Sequence, residues 1–141
     1  MAKIKKIFLD TAPIIYFLDK NSVFKTNSDK IFEDVLIKGY NLFTSSVTCT
    51  EYLVHPYRTN DEESIKIFWN FVYEFKLSIR RIDNAVAVEA AKIRAEYRHI
   101  KTADALQLAA AICGGCDLFL TNDKQLKQFD KIKCVTVEEW S

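Results

Sequence analysis

The chain has 141 residues, enough for one compact domain and short for two, and its 49% apolar and 13% aromatic content fits a globular protein with a substantial core. A net charge of +1 gives no broad field for nucleic acid or an anionic membrane, so a polyanion must be held by a local basic rim or through a cation. No stretch approaches the roughly 20 apolar residues of a membrane span, and the basic start from Met1 to Lys6 leads into strand-like alternation rather than a signal peptide, so the chain reads as a single cytoplasmic domain over residues 1–141.

Ile7-Phe8-Leu9 is a short apolar strand that ends at Asp10-Thr11-Ala12-Pro13. Pro13 suits the first turn of a helix carrying Ile14, Ile15, Phe17 and Leu18, and Asp10 is well placed to cap it. A second helix is expected from about Ser28 to Lys38, with Ile31, Phe32, Val35 and Leu36 on one face and Gly39 as its stop. Tyr40 to Thr44 forms a second strand, and Ser45-Ser46 open a helix that holds Glu51 and stops near Pro56. Taken alone, Glu51 is a solvated helix position or half of a capping box with Thr48. His55, beside Pro56, is a helix-end residue.

The caps and acids from Thr59 to Glu63 start a helix with Ile65, Phe68, Phe71 (or Val72) and Phe75 on one stripe and Trp69 with Tyr73 on another. That is more aromatic surface than one core-facing stripe needs, which makes the second stripe a candidate partner contact. Leu77 to Ile82 alternates as a strand, and Asp83 caps a helix whose apolar face is Val86, Ala90, Ile93 and Tyr97. Arg94, Arg98, His99 and Lys101, on its other face and just beyond, belong to the densest basic segment of the chain.

From Thr102 to Cys116 the only charged side chain is Asp104, set among Ala, Leu and Ile on all faces, as in a helix buried in a core. A carboxylate there needs a partner or a metal. Leu118-Phe119-Leu120 then has strand length and places Asp123 just past its carboxyl end. Asp117 precedes the same strand and so sits at the opposite edge. A short helix from Lys124 to Phe129 and a strand from Ile132 to Val137 close the chain. Of four cysteines, Cys113 and Cys116 share CxxC spacing, but no second pair or paired His completes a zinc site, and all four read as small buried thiols.

Strands alternating with helices predict an α/β fold with a central, mostly parallel sheet of four to five strands. Such sheets bind ligands beyond the carboxyl ends of their strands, where Asp10, Glu51, Asp104 and Asp123 can converge. Converging carboxylates repel until a cation neutralises them, and an all-oxygen set favours Mg²⁺ or Mn²⁺ over zinc. A cation held this way can bind a phosphate oxygen and acidify a water for attack on phosphorus, with Thr11, Ser46 and Thr121 as hydroxyls that orient the ligands.

Leu9-Asp10-Thr11, the helical Glu51, Thr102 to Ala111 around Asp104, and Phe119-Leu120-Thr121-Asn122-Asp123 together resemble the four acidic motifs of the PIN domain family, in order and over residues 7 to 137. Within the family the chain is similar to the VapC-like toxins of toxin–antitoxin pairs. The resemblance implies an α/β/α sandwich and a Mg²⁺- or Mn²⁺-dependent endoribonuclease. It also implies a homodimer and a small antitoxin partner. Asp10, Glu51, Asp104 and Asp123 carry over as the metal-binding, catalytic acids, and Thr121 as the hydroxyl of the fourth motif. Arg94, Arg98, His99 and Lys101 are the expected grip on the RNA substrate. A housekeeping RNA-processing nuclease or a non-catalytic binding module are the alternatives. A haloacid-dehalogenase-like phosphotransferase would need an Asp where Ala12 stands, and the acidic pair of a receiver domain is missing.

Overall fold

Five short parallel strands form one sheet in the order β3-β2-β1-β4-β5: β1 (Lys6–Leu9), β2 (Asn41–Ser45), β3 (Ser78–Arg80), β4 (Leu118–Thr121) and β5 (Lys133–Thr136). The computed structural model describes residues 3–140, so Met1 and Ala2, the first part of the basic start, lie outside the described residues. Helices α1 (Thr11–Leu18), α2 (Lys25–Lys38), α3 (Ser46–Arg58) and α4 (Glu62–Glu74) follow β1 and β2. Helices α5 (Asn84–Glu96) and α6 (Thr102–Cys113) lie between β3 and β4, and a 3₁₀ helix (Lys124–Gln128) precedes β5. No helix among the described residues is long and apolar enough to cross a membrane.

The central strands β1 and β4 are near-continuous apolar runs because helices cover both faces, as parallel sheets require, whereas β2, β3 and β5 carry polar residues as well. Alternation splits their side chains between two cores. Phe8, Phe119 and Cys134 pack with α5 and α6, and Ile7, Leu9, Leu42, Leu118 and Leu120 pack with α1 to α4. Phe8 stacks on Phe119, with ring centroids 5.3 Å apart. The chain leaves β1 toward β2 and β3 on one side and returns to β4 and β5 on the other. The carboxyl ends of β1 and β4 therefore flank the switch in strand order, where open parallel sheets form a ligand crevice.

Four expected boundaries move, those of the two helices for clear physical reasons. Helix α2 starts at Lys25 rather than Ser28, because buried Ser28 bonds back to the Phe24 carbonyl at 2.6 Å and Lys25 pairs with Asp29 at 2.7 Å. Helix α3 runs through Pro56 to Arg58, since a proline in the last turn removes a single helical donor, and Thr59 N–H closes the end on the His55 carbonyl at 3.0 Å. Strand β2 extends to Ser45, and β3 is only Ser78–Arg80.

Candidate active site

Asp10 stands where β1 ends. Its N–H donates to the Leu120 carbonyl at 2.9 Å, extending the β1–β4 ladder by one bond and fixing the residue over the switch point. One carboxylate oxygen accepts the Thr11 N–H at 3.0 Å as the cap of α1, and the Gln107 side-chain amide reaches the same oxygen at 3.4 Å. The other accepts the Thr121 hydroxyl at 2.8 Å. Asp10 is thus both a helix cap and a site residue. Burial pushes its carboxyl up to about 6, against the pull of these hydrogen bonds, and the negative charges of Asp104 and Glu51 add to the rise.

Glu51, one turn into α3, is exposed and is aimed by Thr11, whose hydroxyl donates to it at 2.7 Å. Behind this pair lies a fully enclosed polar network that the sequence reading missed. The Thr44 hydroxyl reaches the Leu9 carbonyl and the Thr48 hydroxyl, each at 2.8 Å. Thr48 also sits 3.2 Å from the Thr11 hydroxyl and accepts the Gln107 amide at 2.7 Å. Gln107 in turn accepts the Ser45 hydroxyl. Thr44, Ser45, Thr48 and Gln107 are all buried, and each finds partners, as low-dielectric burial demands. The network joins β1, β2, α1, α3 and α6 directly beneath two acids.

Asp104 projects from the first turn of half-buried α6. Burial raises its carboxyl above the usual range, Asp123 and Glu51 raise it further, and Lys101 opposes them. Asp123 caps the 3₁₀ helix by accepting the Gln125 N–H at 2.9 Å, while its own N–H donates to the Thr121 hydroxyl at 3.1 Å. Thr121 therefore ties Asp10 to Asp123 through one oxygen. The four acids face one edge of the sheet and share one field. Among the described residues no three His, Cys, Asp or Glu side chains lie tightly enough to form a ready metal cage. Mg²⁺ does not need one, because it keeps several waters and takes one or two carboxylates, and these all-oxygen donors suit it.

Other candidates fall elsewhere. The Ser46 hydroxyl donates to the Arg80 carbonyl at 3.4 Å and makes no hydrogen bond to an acid; its neighbour Ser45 turns inward instead. Arg94 is spent on the α5–α6 turn, donating to the Ile100 carbonyl at 3.3 Å and the Thr102 hydroxyl at 2.8 Å. Arg98 and His99 are exposed on that turn, and of the four basic residues Lys101 is the one whose charge opposes Asp104's rise. Asp117 accepts the Lys5 and Lys6 N–H groups at 2.9 Å each, at the amino edge of the sheet. Cys134 is buried as expected, but Cys113 is exposed and Cys116 partly so, because α6 ends at the protein surface, and Cys49 on α3 is also partly exposed.

Comparison with known proteins gives the same outline. Residues 7–132 match the model of the PIN domain family. VapBC2 from Rickettsia felis, solved bound to a DNA fragment from its promoter, superposes with a TM-score of 0.76 at 18% identity, over 93% of this chain and 98% of that chain. DNA-bound VapBC from Salmonella typhimurium gives 0.73 at 19% identity, over 95% of this chain and 99% of that one. FitAcB from Neisseria gonorrhoeae gives 0.72 at 16%, over 95% and 99%. At such identities the likeness carries the fold alone. No curated protein sequence matches the chain. A family match spanning most of the chain, with its four acids at one edge of a parallel sheet, places this protein in the PIN domain family.

Proposed function

We propose that the protein is a metal-dependent endoribonuclease, the toxin of a toxin–antitoxin pair, which hydrolyses RNA phosphodiester bonds at the carboxyl edge of its sheet. The observation that carries this reading is the hydrogen-bonded placement of acids where β1 and β4 end: Thr121 joins Asp10 to Asp123, and Thr11 joins Asp10 to Glu51. Like charges gathered on a partly buried edge repel unless a proton or a cation offsets them, and an all-oxygen set of this kind suits Mg²⁺ or Mn²⁺. Asp10, Glu51, Asp104 and Asp123 would hold Mg²⁺ or Mn²⁺. Bound there, the ion supplies charge neutralisation at phosphate and an acidified water.

The chain's own residues do the rest. Thr11 aims Glu51, Thr121 fixes the spacing of Asp10 and Asp123, and the buried amide of Gln107 holds the floor beneath Asp10. Lys101 is the basic residue best placed to meet an incoming backbone phosphate. The toxin assignment is supported by structural neighbours that are toxin–antitoxin complexes. In this reading, exposed Trp69 and Tyr73 on α4 contact a small antitoxin or a second copy, while Phe68 and Phe71 of the same helix anchor it in the core.

The test is cleavage of total RNA by purified protein freed of any partner, with Mg²⁺, with Mn²⁺ and with EDTA, beside Asp104→Asn. Metal-dependent cleavage that is lost in the variant supports the reading, and mapping the cut names the target. A folded protein that leaves all RNA intact under every metal removes it in favour of a binding module.

A further inference from the structure

A cleft of about 390 Å³ opens along the free β5 edge of the sheet, and none of the four acids lines it. Leu118, the first residue of β4, and Val135, the third of β5, give it an apolar floor. Tyr40 and Trp140 form its wall, with ring centroids 6.4 Å apart and planes at 80°. The Trp140 indole N–H donates to Asp34 at 2.8 Å, so the ring is held in place. Lys38 and Lys133 stand on the rim, exposed, and neither forms an ion pair among the described residues. Lys127, also on the rim, is paired to Glu139.

Floor, wall and rim select different parts of a ligand. A fixed indole beside an apolar floor favours a flat, weakly hydrated ring, because every nucleobase offers a π-face to an aromatic side chain. Two exposed ammonium groups outside any ion pair favour phosphate; the charge of Lys38 also acts on Asp34, and Glu139 of the lining is paired to Lys127. Coverage by a neighbouring apolar helix would leave both lysines desolvated without a partner. The volume of about 390 Å³ is of the size that holds one small ligand such as a nucleotide. We propose that this cleft is a second binding site, which takes one nucleotide unit with its base against Trp140 and its phosphate between Lys38 and Lys133. The inference goes beyond the reading of the acid edge and stands without it. The nucleotide comes from a single-stranded RNA or is free in solution.

The experiment reads binding and not cleavage, so its failure is separate from failure of the nuclease reading. The chain has two tryptophans, and Trp69→Phe leaves Trp140 as the fluorescent reporter. In full-length Trp69→Phe/Asp104→Asn protein with EDTA, adenosine monophosphate, uridine monophosphate, a short single-stranded oligoribonucleotide and base-free polyphosphate are titrated. Saturable quenching by the base-containing probes is expected. Adding Lys38→Ala and Lys133→Ala should weaken binding roughly tenfold, since charge-assisted bonds to phosphate are the strong ones. Lys20→Ala, an exposed lysine that does not line the cleft, should leave it unchanged. Mononucleotides that saturate as readily as the oligomer identify a free nucleotide; an oligomer that binds far more tightly identifies a strand. The proposal is overturned if no base-containing probe quenches, if polyphosphate binds as well as they do, or if the two lysine substitutions change nothing in protein with unaltered circular dichroism.

Discussion

The acid edge makes its sharpest prediction through Asp10→Asn, because function and stability should move in opposite directions. The Asp10 carboxyl is raised from the usual 3.8 to about 6, chiefly by burial. The folded protein thus binds that proton more tightly than the unfolded chain does. Stability from this group is fully present below the unfolded value and is lost as pH rises through the folded value. At about 1.36 kcal/mol per unit, the ionised carboxylate costs the metal-free fold roughly 3 kcal/mol at neutral pH. Asn removes the charge but leaves the Thr121 hydroxyl without its acceptor, a loss of about 1 kcal/mol. The net gain is roughly 2 kcal/mol. With an unfolding entropy near 0.3 kcal/mol/K for 141 residues, that raises Tm by about 7 °C. Thermal melts in EDTA at neutral pH should show this rise, and at about pH 4 it should vanish, because the parent carboxyl is by then largely protonated. Added Mg²⁺ should lift the parent's Tm and leave the variant's unmoved. A variant that melts below the parent in EDTA at neutral pH would refute the burial argument, and equal Mg²⁺ responses would remove Asp10 from the metal site.

Thr48→Val keeps the shape of the buried hub but leaves the Gln107 amide without its 2.7 Å acceptor, so Tm should fall by roughly 5 °C and Mg²⁺ affinity, read by calorimetry, by about tenfold. Ser45→Ala should cost about 1–2 kcal/mol in urea unfolding, because it removes both the α3 cap and the Gln107 partner. Ser46→Ala should stay within about 0.5 kcal/mol, and equal effects of the two would contradict the geometry. Trp69→Ala with Tyr73→Ala should weaken capture of a co-expressed antitoxin while the melt changes little, since Tyr73 is 83% and Trp69 44% exposed; unchanged capture removes α4 from the interface.

The architecture was legible because parallel strands covered on both faces leave unmistakable apolar runs, such as Ile7-Phe8-Leu9 and Leu118-Phe119-Leu120, separated by helices with clear stops. Helix boundaries were less so. The sequence places the start of α2 at about Ser28, yet the Ser28 hydroxyl bonds back to the preceding turn from a buried position inside the helix. Pro56 reads as a stop, but a proline near a helix end forfeits too little to halt the last turn. The stripe of α4 divided as its spacing predicts, with Phe68 and Phe71 inward and Trp69 and Tyr73 outward.

The acids themselves could be read from type and position, but the groups that hold them could not, and the difference is physical. A carboxylate at a strand end is visible against an apolar background. A buried hydroxyl or amide is chemically ordinary in sequence, and its role depends on which of two adjacent side chains turns inward. Ser45 and Ser46 differ by one residue, which on a strand reverses the face: Ser45, the last residue of β2, reaches Gln107, while Ser46, the first of α3, reaches the Arg80 carbonyl. Gln107 did carry a signal, as a polar side chain with two donors and an acceptor three residues after Asp104 in a helix of Ala and Leu. Such a group would be expelled or replaced unless several fixed partners met it, and Thr48, Ser45 and Asp10 do. The amide of this α6 residue reaches Thr48 and the Asp10 carboxylate, so a neutral side chain outside the four acids braces the candidate site.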